Sequence, residues 1–369
     1  MLHIHEQDSW PALYWNYEAL APLLAEIRHQ QGHLLGRMSA IGFDLQQEAS
    51  LETLTLTIVK SHQIEGELLE MTEVRSSIAQ HLGIEIGGLA TTDRHIDGVV
   101  EMMLDATQNH QAPLTQERLC AWHATLFPTL RSGLRRITVG MWRSGESGPM
   151  QVVSGPVGKE HVHFEAPDAT RIPTEMQAFL TWFNTSDAID PVLKAGIAHF
   201  WFITIHPFED GNGRIARAIA DLCLARSDQI SERFYSMSAQ IEKSRKAYYA
   251  CLEASQKGTQ DITAWLHWFL TCLGEAIRNA DTLLTHVLYK VQVLTKAHQH
   301  PLHARQHAIL LQLLTDFKGK LTTQKYAKLA KCSPDTALRD IQKLIAYGLL
   351  QPDPGSGRST AYTLKKDPA

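Results

Sequence analysis

A mainly α-helical body with a β-hairpin, followed by a small mixed module, is the fold class the sequence predicts, and three observations carry it. Apolar residues recur at spacings of three and four through most of the first 300 residues. The stretch 137–164 breaks that rhythm with Gly, Val and Thr in short alternating pieces. From residue 302 onward the charge balance reverses, with eleven Lys and Arg against five acids in a chain whose net charge is -4.

Taken in order, residues 16–38 place Leu20, Leu23, Leu24, Ile27, Leu34, Leu35 and Met38 on one helical face, and Gly42 marks the break after them. A second helix is expected over residues 49–71, with Ile58, Leu68 and Leu69 turned inward and a weak point at Gly66. Two further helices, beginning near residues 92 and 115, each open on a Thr able to accept from first-turn amides. An exposed β-hairpin follows at 137–164. Helical periodicity then returns at "PTEMQAFLTWFNT" and "PVLKAGIAHFWFITI", and runs on to about residue 297.

With 369 residues, 44% of them apolar, the chain can build two or three cores. Its longest apolar run, near Ile197 to Ile205, is well short of the roughly 20 residues a bilayer requires. The start "MLHIHEQDSW" has neither the basic nor the apolar part of a secretion signal. Five scattered cysteines without a Cys-x-x-Cys pair fit reduced thiols. Together these features lead to the expectation of a cytoplasmic protein with no membrane partner.

Chemistry concentrates in "HPFEDGNGRIAR", residues 206–217. Pro207 ends the apolar helix before it, and Gly211 and Gly213 allow successive backbone amides to converge where a new helix begins. Amides and the positive end of a helix together make an anion site suited to phosphate. Arg214 and Arg217, three apart, share the helix face beside it and match a polyphosphate. Asp210 is a hard oxygen ligand suited to Mg²⁺ shared with phosphate oxygens. His206 is the group able to accept a proton near neutral pH.

This stretch resembles the signature of the Fic family, His-Pro-Phe-x-(Asp/Glu)-Gly-Asn-Gly-Arg-x-x-Arg, at every fixed position. "WHATLF", "GMWR", "SRKAYYACL" and the N-terminal "WNYEALAPLLAEIR" with "GRM" are similar to family counterparts as well, so the resemblance covers roughly residues 1–300. It implies a Fic-type helical bundle and an adenylyltransferase that moves AMP from ATP to a Ser, Thr or Tyr hydroxyl of another protein. His206 would take the hydroxyl proton, and Asp210 would hold Mg²⁺. Gly211, Asn212 and Gly213 would hold the α-phosphate, Arg214 would sit at the β-phosphate and Arg217 at the γ-phosphate, with Glu209 also among the ATP-binding residues. Tyr248 and Tyr249 would line the adenine pocket. Kinase-like members tend to carry Lys where this chain has Gly213, so the glycine favours AMP transfer.

"SHQIEG" resembles the family's inhibitory pattern, (Ser/Thr)-x-x-x-Glu-(Gly/Asn), and implies that Ser61, Glu65 and Gly66 regulate the site, with Glu65 taking Arg217 away from ATP. In some members the same Glu orients a water that removes AMP, which leaves de-AMPylation as an alternative reaction. The hairpin at 137–164 would be the flap that adds a target segment as an extra strand. Dimerisation is a further expectation of the resemblance.

The tail resembles a winged helix-turn-helix: a helix, a tight turn, a helix opened by Ser333 and Pro334, then a Gly-rich hairpin between Leu350 and Leu364. Thr336, Arg339 and Lys343 would face a major groove and Arg358 would sit in the wing. Such modules also serve as protein-docking units, so DNA and protein both stand as partners. A DNA-binding regulator with a nucleotide-sensing body is accordingly the second reading of the whole chain. The expected organisation is an N-terminal helical region with the inhibitory helix at 1–90, a catalytic core at 91–300 and the winged module at 301–369.

Overall fold

The computed structural model describes residues 2–84, 93–154, 161–185, 189–314, 317, 319–353 and 360–365. They divide into two compact units, Met1–Asp281 and Thr282–Ala369. Among the described residues no helix is long and apolar enough to cross a membrane, and the five cysteines are free.

In the first unit Asn16 caps α1 (Tyr17–Ser39) by accepting from the amide of Ala19. Helix α2 (Phe43–Ile64) ends earlier than its apolar pattern suggests. Gly66 takes a φ of 87°, and the amides of Glu65 and Glu67 both turn back onto the His62 carbonyl, at 2.9 and 3.0 Å. The expectation that Leu68 faces inward fails for that reason: beyond the turn its side chain is 85% exposed. Helices α3 (Met71–Leu82), α4 (Arg94–Gln108) and α5 (Gln116–Leu126) follow. Asp93, not the preceding Thr92, caps α4, because its carboxylate reaches the amides of both His95 and Ile96 at 2.9 Å. Thr115 caps α5 as expected.

A short ribbon, β1 (Arg131–Ser132) with β2 (Arg135–Arg136), precedes the antiparallel pair β3 (Gln151–Ser154) and β4 (His161–Glu165). The connection between β3 and β4 lies outside the described residues. Helices α6 (Ile172–Asn184), α7 (Pro191–Ile205), α8 (Asn212–Asp228), α9 (Met237–Lys243), α10 (Arg245–Gln256) and α11 (Thr263–His298) complete the series.

The centre of this unit is the α7–α8 pair. Helix α7 is buried on nearly every face, from Val192 to Ile205, because its sequence is apolar all round. Helix α8 packs against it and is itself buried, its Ala216, Ala218 and Ala220 lying on different faces. The far end of α8 is fixed by charge. Asp228 accepts from Arg233 Nη1 and from the Tyr235 hydroxyl, both at 2.7 Å, and from Gln31 Nε2 of α1 at 2.9 Å. Arg233 and Asp228 are both almost completely buried.

The second unit holds the end of α11, α12 (Ala304–Leu314), α13 (Thr323–Leu329), α14 (Pro334–Ala346) and a three-stranded sheet. In the sheet, β5 (Leu321–Thr322) and β6 (Leu350–Pro352) both pair antiparallel with β7 (Ala361–Leu364), giving the order β5-β7-β6. Tyr326, Ile341, Leu344 and Leu350 form its core with Val293 and Ala297 of α11. The unit therefore starts before residue 301, where the charge changes, since charge marks a surface and the boundary follows the packing. Asp340 is internal: it accepts from Arg305 at 2.6 Å and from the buried Gln306 at 3.0 Å.

Breaking a buried ion pair by removing one partner leaves an uncompensated charge and costs about 3–5 kcal/mol. Asp228→Ala, which removes the 2.7 Å partner of Arg233 and leaves it only Asp221 at 3.6 Å, is expected to destabilise the first unit by about 3 kcal/mol, the low end of that range, in urea unfolding. A loss near zero would mean that the pair does not anchor α8.

Candidate active site

His206 sits at the C-cap of α7 with a left-handed backbone, φ 52° and ψ 58°. A side chain at such a φ is strained, and the surroundings hold it there. Arg143 donates from Nε to the His206 carbonyl at 2.8 Å, its Nη2 donates to the Pro167 carbonyl, and its amide donates to the Pro207 carbonyl at 2.8 Å. The ring is set by Nδ1, which lies 3.2 Å from the Ile203 carbonyl and must carry a hydrogen to bond it. Nε2 is then the nitrogen with a free lone pair. Burial pushes the imidazole pKa down to about 4 against the opposing Ile203 bond, so the ring is neutral at physiological pH.

The loop after His206 closes on itself. Asn212 accepts from the Phe208 amide at 3.0 Å and donates to the Phe208 carbonyl at 2.8 Å, so the side chain expected at a phosphate is engaged in shaping the turn. Phe208 stacks on His123 with ring centres 4.1 Å apart. Gly211, at φ 78°, is the N-cap of α8 and supplies no side chain, which leaves the first-turn amides uncapped. Uncapped amides at the positive end of a helix dipole are suited to hold an anion.

Asp210 stands at the mouth of the loop, part-exposed, with Oδ2 bonded to Ser132 and Oδ1 accepting from the Gly211 amide at 2.5 Å and lying 3.8 Å from Arg214 Nη2. A part-exposed carboxylate beside an uncapped helix end fits a Mg²⁺ that completes its shell with phosphate oxygens and water. Glu209 is engaged elsewhere: it accepts from Thr138 at 2.9 Å and lies 3.7 Å from Arg135. It ties the loop to the segment after β2, because consecutive residues of the turn point apart.

Arg214 and Arg217, each with a side chain 2% exposed, enter the same space. Arg217 donates from Nε to the Ser61 hydroxyl at 2.9 Å and from Nη2 to the Ser61 carbonyl at 2.8 Å, and Nη2 is also 2.8 Å from Glu65. Glu65 is the C-cap of α2, yet it meets the same guanidinium as Ser61 inside the helix. Arg214 lies over the Phe127 ring at 5.0 Å and donates to Glu67 at 2.8 Å. Glu67 was not a candidate from the sequence. Its signal was present, an acid two residues beyond Glu65, but only the turn at Gly66 brings it to Arg214. A Cβ at Gly213 would come within 2.3 Å of Glu65 Oε1, so this glycine is where the acid rests.

The two tyrosines separate. Tyr248 is a core residue, 1% exposed, with its hydroxyl 2.9 Å from Nε2 of buried His199 and its ring against Trp268. Tyr249 is half-buried beside it, next to the end of α2. In the second unit Arg339 and Lys343 are exposed on α14, whereas Thr336 bonds Ser333 at the helix cap, and Arg358 lies outside the described residues.

Two family models match the sequence. Residues 3–84 match a domain of unknown function (DUF4172), and residues 113–224 match the Fic/DOC family. Among curated relatives, the protein adenylyltransferase fic-1 of Caenorhabditis briggsae is 31% identical over 115 residues, covering 31% of this chain and 21% of that one. Its counterpart in Caenorhabditis elegans is 35% identical over 86 residues, 23% of this chain and 16% of that one. The chain thus spans about a fifth or less of the length of the curated relatives it matches first. Among solved structures, a Fic family protein from Desulfovibrio desulfuricans G20 superposes with a TM-score of 0.52 at 22% identity, over 96% of this chain and 98% of that one. A Fic domain containing signaling protein from Bacteroides thetaiotaomicron does so with 0.51 at 21% identity, over 69% and 95%. These two likenesses are of fold. Residues 113–224, which hold His206 and the loop to Arg217, therefore carry a Fic/DOC-family domain.

Proposed function

We propose that the chain is a protein adenylyltransferase that transfers AMP from ATP to a Ser, Thr or Tyr hydroxyl of a target protein and is held in check by Glu65. The observation that carries this reading is the placement of an unprotonated His206 Nε2 beside an uncapped helix end and two buried arginines. The target hydroxyl attacks the α-phosphorus, forming a new O–P bond while the bridging bond to the β-phosphate breaks. His206 takes the hydroxyl proton, and diphosphate leaves. Uncapped amides at the start of α8 face the α-phosphate, and Arg214 and Arg217 neutralise the leaving end. Asp210 would hold Mg²⁺, which neutralises charge on the phosphates when bound.

Inhibition follows from competition. Arg217 cannot serve a γ-phosphate while Ser61 and Glu65 hold it, and Arg214 is engaged by Glu67. Names of the relatives, protein adenylyltransferases, support the reaction class. The β3–β4 pair, with Val153 and Val162 exposed, offers a strand edge on which a target segment would dock.

Incubating Glu65→Gly protein with Mg²⁺ and ATP labelled at the α- or γ-phosphate tests the reading. Label from α-ATP alone, about tenfold above wild type and lowered about 10²–10⁴-fold in His206→Ala, is the expected result. Label from γ-ATP would identify a kinase, and no label in any variant would favour the nucleotide-sensing DNA-binding regulator.

Graded release is a second expectation. Ser61→Ala removes the hydroxyl but leaves the main-chain carbonyl on Arg217, so its activity is expected between wild type and Glu65→Gly. Glu67→Gln is expected to raise activity further in the Glu65→Gly background, read by the same assay. Full release by Ser61→Ala would show that the hydroxyl dominates.

Because the His206 pKa is lowered to about 4, its proton-accepting form persists as pH falls and is lost only as pH drops through about 4. The kcat/KM of Glu65→Gly is expected to stay level between pH 8 and about 5.5, with no break near 6.5, the ordinary histidine value. A break at 6.5 would place the ring in a more solvated state.

A further inference from the structure

His62, Glu67 and His95 bring one nitrogen or carboxylate oxygen each to within 4.8 Å of one another. Two of them belong to the end of α2 and the turn after it, and the third to the first turn of α4. His62 is 1% exposed. Its Nδ1, 3.0 Å from the Ile58 carbonyl, must carry the hydrogen of that bond, which leaves Nε2 as an acceptor. That Nε2 is buried with no hydrogen-bond partner and lies 3.9 Å from Glu67 Oε2. The His95 ring stands edge-on, its centre 6.0 Å from that of His62.

An orphaned buried acceptor is costly, and here it is aimed at a second imidazole and a carboxylate. A ring whose other nitrogen donates to a main-chain carbonyl is also the arrangement that orients a metal-binding histidine.

We propose that His62, Glu67 and His95 form a binding site for a divalent transition metal of the Zn²⁺ class, distinct from the phosphate loop. Two nitrogens and one carboxylate are a donor set for such an ion, with water in a fourth position. Tetrahedral ligands stand about 3.4 Å apart when each is about 2.0–2.1 Å from the ion. Glu67 and His95 are part-exposed and can close that gap, while His62 stays fixed by Ile58. Glu67 Oε2, the oxygen 3.9 Å from His62 Nε2, is also the one bonded to Arg214, so binding the ion requires the carboxylate to share that oxygen or turn Oε1 toward the site. A metal bound here clips the turn carrying Glu65 and Glu67 to α4 and so stabilises the arrangement in which both acids hold the arginines. This last consequence rests on the inhibitory reading; the binding itself does not.

The test uses the full chain stripped with a chelator, titrated with Co²⁺ and followed by its visible d–d absorption, then displaced by Zn²⁺. Because the chain has 19 histidines, the informative quantity is the difference between wild type and His95→Ala or Glu67→Gln, which change part-exposed side chains. The expected result is one tetrahedral-type Co²⁺ signal in wild type, with affinity reduced at least tenfold in each variant. Equal binding by wild type and both variants, or no signal, overturns the site. With binding established, Zn²⁺ is expected to lower self-modification by wild type and not by His95→Ala. Binding without that effect removes the regulatory consequence alone, and inactivity of Glu65→Gly toward ATP would count against the adenylyltransferase reading instead.

Discussion

Two buried guanidiniums on the first turns of α8 impose the constraint on which the rest depends. A charge removed from water must be met by an opposite charge or by hydrogen-bond acceptors. Arg217 is met by the Ser61 hydroxyl, the Ser61 carbonyl and Glu65, and Arg214 by Glu67 and the face of Phe127. The turn at the end of α2 is therefore tied to the start of α8, and the length of α2 is as consequential as the glycines of the loop. Had α2 continued past Ile64, Glu65 and Glu67 would have been carried to different faces of the helix.

Much of this was legible in the sequence. The apolar stretch before Pro207, the Gly-Asn-Gly turn and the two arginines specify a helix, a loop and a helix at fixed spacing, and the structure places them so. Residues whose role depends on distant partners were not legible. Asn212 has the chemistry to bind phosphate, and both ends of its amide are bonded to the Phe208 main chain. Tyr248 and Tyr249 are adjacent in sequence, and one step along the helix separates a core residue hydrogen-bonded to His199 from a half-buried one. Arg143 attracted no role by itself, yet it holds the His206 carbonyl and the Pro167 carbonyl across the loop.

Charge pattern was the weakest guide to organisation. It set the tail apart by surface composition, whereas the second compact unit begins at Thr282. Val293 and Ala297 pack with Tyr326 and Leu344, and no charge marks them. Even the excess of basic residues is partly internal, because Arg305 is bonded to Asp340 within the unit.

Gly213 links two properties that appear separate. Its missing side chain is the space in which Glu65 rests, and any Cβ there would meet the acid at 2.3 Å. A side chain at this position would require the Glu65 carboxylate to move from where it meets Arg217. Under the proposed reading a single position at the tip of the loop then bears on both the nucleotide and its restraint, so the two properties are coupled there by one missing side chain.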